Sequence, residues 1–260
     1  MDLEGRGSMS AERQDRPRGQ GAGTTGWSRL TEAARVLIGI TVGCTVLAAM
    51  AQAGTIQGTV RYTGPDVEGK KLAVTSNQYV CGKEKDSQNL ELSADRGIRN
   101  AVVSLQSPPP GARWNPYAPP PQIDQLECVF IPRVAVVPVG GTLEFLNSDR
   151  LLHNIRSKDI RLNRKFNRTQ PRGRTIPITF EKKEIVRVGC DLHPWMRAWV
   201  VVAEHPFYAI TGDQGDFTLD NVPAGRHTLQ IWQETLGTVN IEVTVQDQGA
   251  TAVTIEMAPQ

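Results

Sequence analysis

The chain has 260 residues, with 29 Lys+Arg against 27 Asp+Glu, and is 39% hydrophobic. A net charge of +2 argues against a dedicated nucleic-acid binder, which carries a marked basic excess, and 22% charged residues exclude a polytopic membrane protein. Four cysteines are too few to staple a scaffold of this length, which leaves one or two globular domains, each able to bury a core.

Residues 1–35 are polar and aperiodic. An uncharged run from Val36 to Ala53 follows Arg29 and Arg35 and closes on Ala51-Gln52-Ala53. A positive flank, a short apolar stretch and a small-x-small site are the parts of a secretory signal, assigned here to residues 1–53. Retained, the same run just reaches spanning length and would act as a membrane anchor. In both cases the expectation is a periplasmic or extracytoplasmic protein.

Beyond Gly54, short β-branched runs recur at 55–62, 101–106, 129–139, 142–147, 176–180, 184–188, 198–203, 217–220, 227–233, 239–245 and 251–257. Turn signals such as Gly140-Gly141 and Pro223-Ala224-Gly225 separate them. Many short strands at this spacing predict an all-β sandwich or barrel, and no long stretch carries a helical period. Seven prolines between Pro108 and Pro121 cannot sit in a central strand, because proline donates no ladder hydrogen bond. The segment 108–122 is therefore read as a stiff linker or exposed loop, and as a boundary.

Past that boundary come the residues that carry chemistry. Leu152-His153-Asn154-Ile155 follows a strand and an Asn147-Ser148-Asp149 turn. Downstream, Cys190-Asp191-Leu192-His193-Pro194-Trp195-Met196 places a thiol, an imidazole and a thioether on one loop between two strands. If His153 folds back over that loop, the set is His153, Cys190, His193 and Met196. Two histidines and a cysteine with a weak axial methionine form a blue-copper electron-transfer arrangement. Structural zinc has no use for the methionine.

Each residue also has a plainer reading. Met196 alone would fill a core gap, and His193 alone would be an ordinary loop residue. Cys190 could join a disulfide in an oxidising compartment. If Cys81 and Cys128 pair with each other instead, Cys190 is left over, and metal ligation explains an unpaired thiol. His205 and His227 lack such company and are read as structural. Trp195 and the apolar Leu192, beside His193, are either partner-contact residues or simple loop packing.

Between the two motifs the segment 150–187 holds twelve Lys/Arg against three carboxylates. That run is either a solvated face or a surface that steers an acidic redox partner, a cytochrome or dehydrogenase. Nucleic acid is excluded as a partner by export and by the lack of interleaved stacking aromatics.

The loop Cys190-x-x-His193-x-x-Met196, with Pro194 after the histidine, resembles the ligand loop of amicyanin-type cupredoxins. His153-Asn154-Ile155 is similar to the His-Asn motif of plastocyanins and amicyanins. The run from Cys128 to Pro206 resembles secreted bacterial proteins of the methylamine-utilisation-like, cupredoxin-domain kind. The resemblance implies a Greek-key cupredoxin sandwich over 123–204 and one type 1 copper. It makes His153, Cys190 and His193 the strong ligands and Met196 the axial one, and has Asn154 tie the two ligand segments together. Leu152 stands where a proline is usual.

The flanks resemble a different module. Thr211–Leu219 followed by Val222–Leu229 is similar to carboxypeptidase regulatory-like (transthyretin-like) sandwiches. Residues 55–60 and 100–105 look like earlier strands of the same module. The resemblance implies one sandwich from 54–107 and 205–260 with the cupredoxin inserted, against a tandem in which 54–107 packs on the cupredoxin.

The functional expectation is an exported type 1 copper protein that carries single electrons. No Ser-His-Asp set or paired carboxylates stand out, so no enzyme is expected. The alternatives are a copper-binding or delivery protein, and a non-metal β-sandwich interaction module with a vestigial site.

Overall fold

The computed structural model describes residues 53–260. The leader and the apolar run up to Gln52, with Cys44, lie outside the described residues, and the export signal read there with them.

The described chain is nearly all strand. Its first part holds β1 (Ala53–Tyr62), β2 (Lys71–Ala73), a single short helix α1 (Gln78–Cys81), β3 (Glu84–Asp86) and β4 (Val102–Leu105). After the proline-rich segment come β5 (Gln122–Leu126), β6 (Val129–Ile131), β7 (Val134–Pro138), β8 (Gly141–Asn147), β9 (His153–Lys158) and β10 (Asn167–Gln170). The middle part ends with β11 (Ile176–Phe180), β12 (Glu184–Gly189) and β13 (Arg197–Ala203). The last part is β14 (Tyr208–Ile210), β15 (Asp216–Pro223), β16 (Gly225–Gln233), β17 (Gly237–Val245) and β18 (Ala250–Met257).

Two sandwiches result. In the first, a five-stranded sheet of order β10-β9-β12-β13-β7 faces a four-stranded sheet of order β11-β8-β5-β6. Their inner faces share one core, with Ile155, Val186, Val188 and Val200 from one sheet and Ile123, Phe130, Leu143, Phe145 and Phe180 from the other. In the second, β15-β1-β18 faces β14-β4-β16-β17 around Ile56, Val60, Val103, Leu105, Leu219, Leu229 and Ile231. Alternation of burial along β1, β8 and β15 follows from the period of two, which sends successive side chains to opposite faces.

β7 and β13 read as continuous apolar runs for a different reason: both their faces are covered. Ala135, Val137, Ala198 and Val200 enter the first core. Val134, Val136, Trp199 and Val201, on the reverse face, pack with Val102, Tyr208, Ile210 and Trp232 of the second sandwich. Arg133, just before β7, latches the two together. Its side chain pairs with Glu234 at 2.6 Å, with both side chains only 4% and 6% exposed, and donates to Arg197 O and Asn89 Oδ1.

The segment 54–107 is shared between the cores. β1 pairs with β15 and β18, and β4 pairs with β14 and β16. Between these strands, however, Val74, Val80 and Cys81 pack into the first core, and a disulfide joins Cys81 to Cys128. One continuous strand over 129–139 is not formed. Pro132, with no ladder donor, falls between β6 and β7 and splits it.

Candidate metal centre

β9 and β12 are antiparallel neighbours, with Arg156 opposite Gly189. This register brings the start of β9, His153, beside the end of β12, where Cys190 leaves the sheet. His153 is thus the first residue of a strand rather than part of a loop folded over the site. The loop 190–196 then turns tightly, Met196 N–H donating to His193 O at 2.9 Å, and re-enters the sheet as β13. Asn154, next to His153, accepts the Asp191 N–H on Oδ1 at 2.6 Å and donates to Asn167 Oδ1. Its side chain stitches the two ligand-bearing segments together.

Three donor atoms converge. His153 Nδ1 and His193 Nδ1 lie 2.9 Å apart, and Cys190 Sγ lies 4.0 Å from the first and 3.7 Å from the second. All three residues are buried. Met196, on the same loop, is also buried, at 2% exposure. Cys190 is the free cysteine of the described residues. A neighbouring group of Cys128, Asp149 and His153 is equally compact, but the Cys128 sulfur is committed to the disulfide.

The outer nitrogen of each imidazole is held from behind. His153 Nε2–H donates to Asp149 Oδ2 at 2.8 Å, and His193 Nε2–H donates to Asn77 Oδ1 at 3.0 Å. Such partners fix tautomer and ring orientation, and leave the Nδ1 lone pairs to face a metal. Asp149 is itself anchored by the backbone N–H groups of Glu127 at 2.7 Å and Cys128 at 2.8 Å. These two residues form the hairpin turn between β5 and β6, and both have positive φ, 53° and 57°. Trp195, half-buried, donates its Nε1–H to Cys128 O at 3.0 Å and lies 5.2 Å from the His193 ring. It braces the loop, while Leu192 is exposed.

The electrostatics follow from these contacts. Burial opposes a charge on His153, yet the Asp149 carboxylate and the Cys190 sulfur push it up to about 9. Burial, and then the His153 charge, push His193 down to about 4. Burial opposes the Asp149 charge too, but the His153 hydrogen bond and the two backbone N–H groups hold its carboxyl below the usual range. His153 therefore donates Nδ1–H to a neutral His193 Nδ1. A cation held by both Nδ1 lone pairs would take the place of that shared proton.

The donor set fits copper. Two imidazoles and one thiolate suit a copper electron-transfer site. An ion with bonds of about 2.0 Å to nitrogen and about 2.3 Å to sulfur spans donors separated by the observed 2.9, 3.7 and 4.0 Å.

Sequence reasoning misses two residues of the site. Asp149 reads there only as part of a turn, although its spacing of four from His153 is a usable hint. Asn77 lies 116 residues from His193, beyond any local pattern. His205 and His227 stand apart from the metal grouping, the latter donating Nε2–H to Pro223 O.

No protein-family model matches the chain, and no curated relative does. Among solved structures, the chain is similar to a copper-containing nitrite reductase from Thermus scotoductus SA-01, at 26% identity over 39% of this chain and 26% of that one, with a TM-score of 0.32. It is also similar to a purple cupredoxin from Nitrosopumilus maritimus, at 26% identity over 32% of this chain and 99% of that one, TM-score 0.29. A reduced amicyanin variant matches at 21% identity over 39% of this chain and 98% of that one, TM-score 0.31. The chain thus spans about a quarter of the nitrite reductase's length.

Proposed function

We propose that this protein is an exported type 1 copper protein that passes single electrons between redox partners and turns over no substrate. The observation that carries the reading is the convergence of His153 Nδ1, His193 Nδ1 and Cys190 Sγ in one buried spot, with each ring's outer nitrogen already committed.

A copper ion held by these atoms supplies a one-electron couple, with soft sulfur suited to Cu(I) and imidazole suited to both oxidation states. The residues around it supply rigidity. Asp149 and Asn77 hold the two rings, Asn154 ties Cys190's neighbour Asp191 to β9, and β12 and β13 fix both ends of the loop. The Cys81–Cys128 disulfide clamps the segment bearing Asn77 to the hairpin that holds Asp149. A copper held this way would change oxidation state with little rearrangement, and the burial of these residues would shield it from water. Met196, buried on the same loop, would supply a thioether as the fourth donor in this reading.

The disulfide also supports an oxidising compartment, as the export signal of the sequence requires. The second sandwich, resembling a carboxypeptidase regulatory-like module, serves as a rigid mount through the Arg133–Glu234 latch. An acidic redox protein is the partner this reading implies, drawn by the basic segment 150–187.

Copper titration tests the reading. The expected result is one copper per chain and an intense visible absorption from thiolate-to-copper charge transfer. A colourless complex would point to copper delivery, and failure to bind copper would point to an interaction module.

A further inference from the structure

All four proposed ligands are buried, between 0% and 3% exposed. Neither imidazole leads outward, since Asn77 stands behind His193 and Asp149 behind His153. The sheet face beside the ligand loop is different. Cys190 and Met196 both line an open cleft of about 220 Å3, together with Lys158, Arg187, Arg197 and the single carboxylate Asp191.

The positive charge in this cleft is under-compensated. Lys158 on β9 and Arg187 on β12 are direct cross-strand partners, a placement that is destabilising for like charges. Asp191, which pairs with Lys158 at 2.9 Å, is shared with Arg156 at 3.1 Å. Arg187 holds Asp159 at 2.5 Å, but its Nε–H is buried and meets no acceptor among the described residues. Arg197 reaches Glu234 only at 3.9 Å and donates to the neutral Asn89 Oδ1 at 3.3 Å. Two guanidinium groups and an ammonium around one shared carboxylate are built to receive a second carboxylate.

We propose that this cleft seats a carboxylate of an acidic partner protein, and that electrons enter and leave the centre through this side of the ligand loop. The inference rests on the electron-carrier reading. Of the twelve cations in 150–187, two, Lys158 and Arg187, make the seat. The others contribute long-range attraction.

The test uses hexacyanochromate(III), a redox-inert paramagnetic trianion, added to the isotope-labelled, metal-free protein and read by amide line broadening. Broadening should centre on Val188, Gly189, Asp191 and Arg197, and should fade as salt is added to the wild-type protein. Removing two charged donors in Lys158→Gln/Arg187→Gln should weaken the apparent affinity about tenfold or more. Arg226→Gln, which alters an exposed pair with Glu242 on the second sandwich, should leave the pattern as it was. An acidic polyglutamate peptide should perturb the same amides.

Broadening centred elsewhere in the wild-type protein overturns the proposal. So does broadening that survives in a folded double variant. The two readings fail separately. An inert cleft in a protein that turns blue with copper overturns the seat alone. A cleft that binds the trianion in a protein that takes no copper overturns the electron-carrier reading.

Discussion

His153 Nε2 lies 2.8 Å from Asp149 Oδ2, and both side chains are buried. The carboxylate is held from its other side by two backbone N–H groups of a left-handed turn. This fixed negative charge sits one imidazole away from the metal position.

Asp149→Asn keeps the shape and removes the charge. Loss of such an outer partner costs about 10–100-fold in metal affinity, measurable by chelator competition. The more highly charged oxidised metal gains more from a nearby anion than the reduced one does. The variant's reduction potential should therefore rise. An unchanged potential would mean that Asp149 only positions the ring.

Asn77 has φ 54°, a left-handed conformation in which a non-glycine residue with Cβ is costly. Asn77→Gly therefore keeps the backbone and removes only the amide that holds His193. In labelled protein carrying zinc or Cu(I), the His193 Nε2–H signal should be visible in the wild type and lost to solvent exchange in the variant. A signal still protected would show that the loop alone shields the ring.

Glu234→Gln leaves Arg133 charged and buried between the two sandwiches. Breaking one side of a buried ion pair costs about 3–5 kcal/mol, so thermal unfolding should shift well down. Because the metal grouping lies elsewhere, the copper-loaded folded variant should keep its visible spectrum. A variant as stable as wild type would show that the apolar cluster around Trp199 and Trp232 holds the junction unaided.

Glu184 accepts from four donors in 161–163. Its Oε1 accepts from the N–H of Arg161 at 2.6 Å and of Leu162 at 3.2 Å, and its Oε2 from the Asn163 N–H and Nδ2 at 3.0 Å. Burial works against its charge, but these donors hold its carboxyl below the usual range. A depressed carboxyl stabilises the fold fully above its unfolded value of about 4.3, and that contribution is lost as pH falls through the folded value. Thermal midpoints of wild type and Glu184→Gln should differ at neutral pH and converge in acid. A gap that persists in acid would contradict the assignment.

The sequence exposed the ligand-bearing elements unevenly. The loop 190–196 was legible because three ligand types crowd one short stretch between apolar strands. The all-β character was legible from the recurrence of β-branched runs. β9 and β10 were missed because an Arg-Ser-Lys stretch and Asn-Arg-Thr-Gln show little apolar pattern. The β5–β6 hairpin was missed for a sharper reason. A two-residue turn of this kind normally announces itself with Asn-Gly or Asp-Gly, whereas here Glu127-Cys128 is held by the Asp149 carboxylate and the disulfide. Long-range contacts made the turn, so no local signal could report it. The sharing of 54–107 between two cores was hidden in the same way, since Cys81 finds its place through a partner 47 residues away.

X-ray absorption at the copper edge tests the central claim most directly. The account predicts one short copper–sulfur shell with two copper–nitrogen shells in the loaded wild-type protein, and loss of that sulfur shell in Cys190→Ser. A short sulfur shell that persists in Cys190→Ser, or a wild-type site with oxygen and nitrogen neighbours alone, would contradict it.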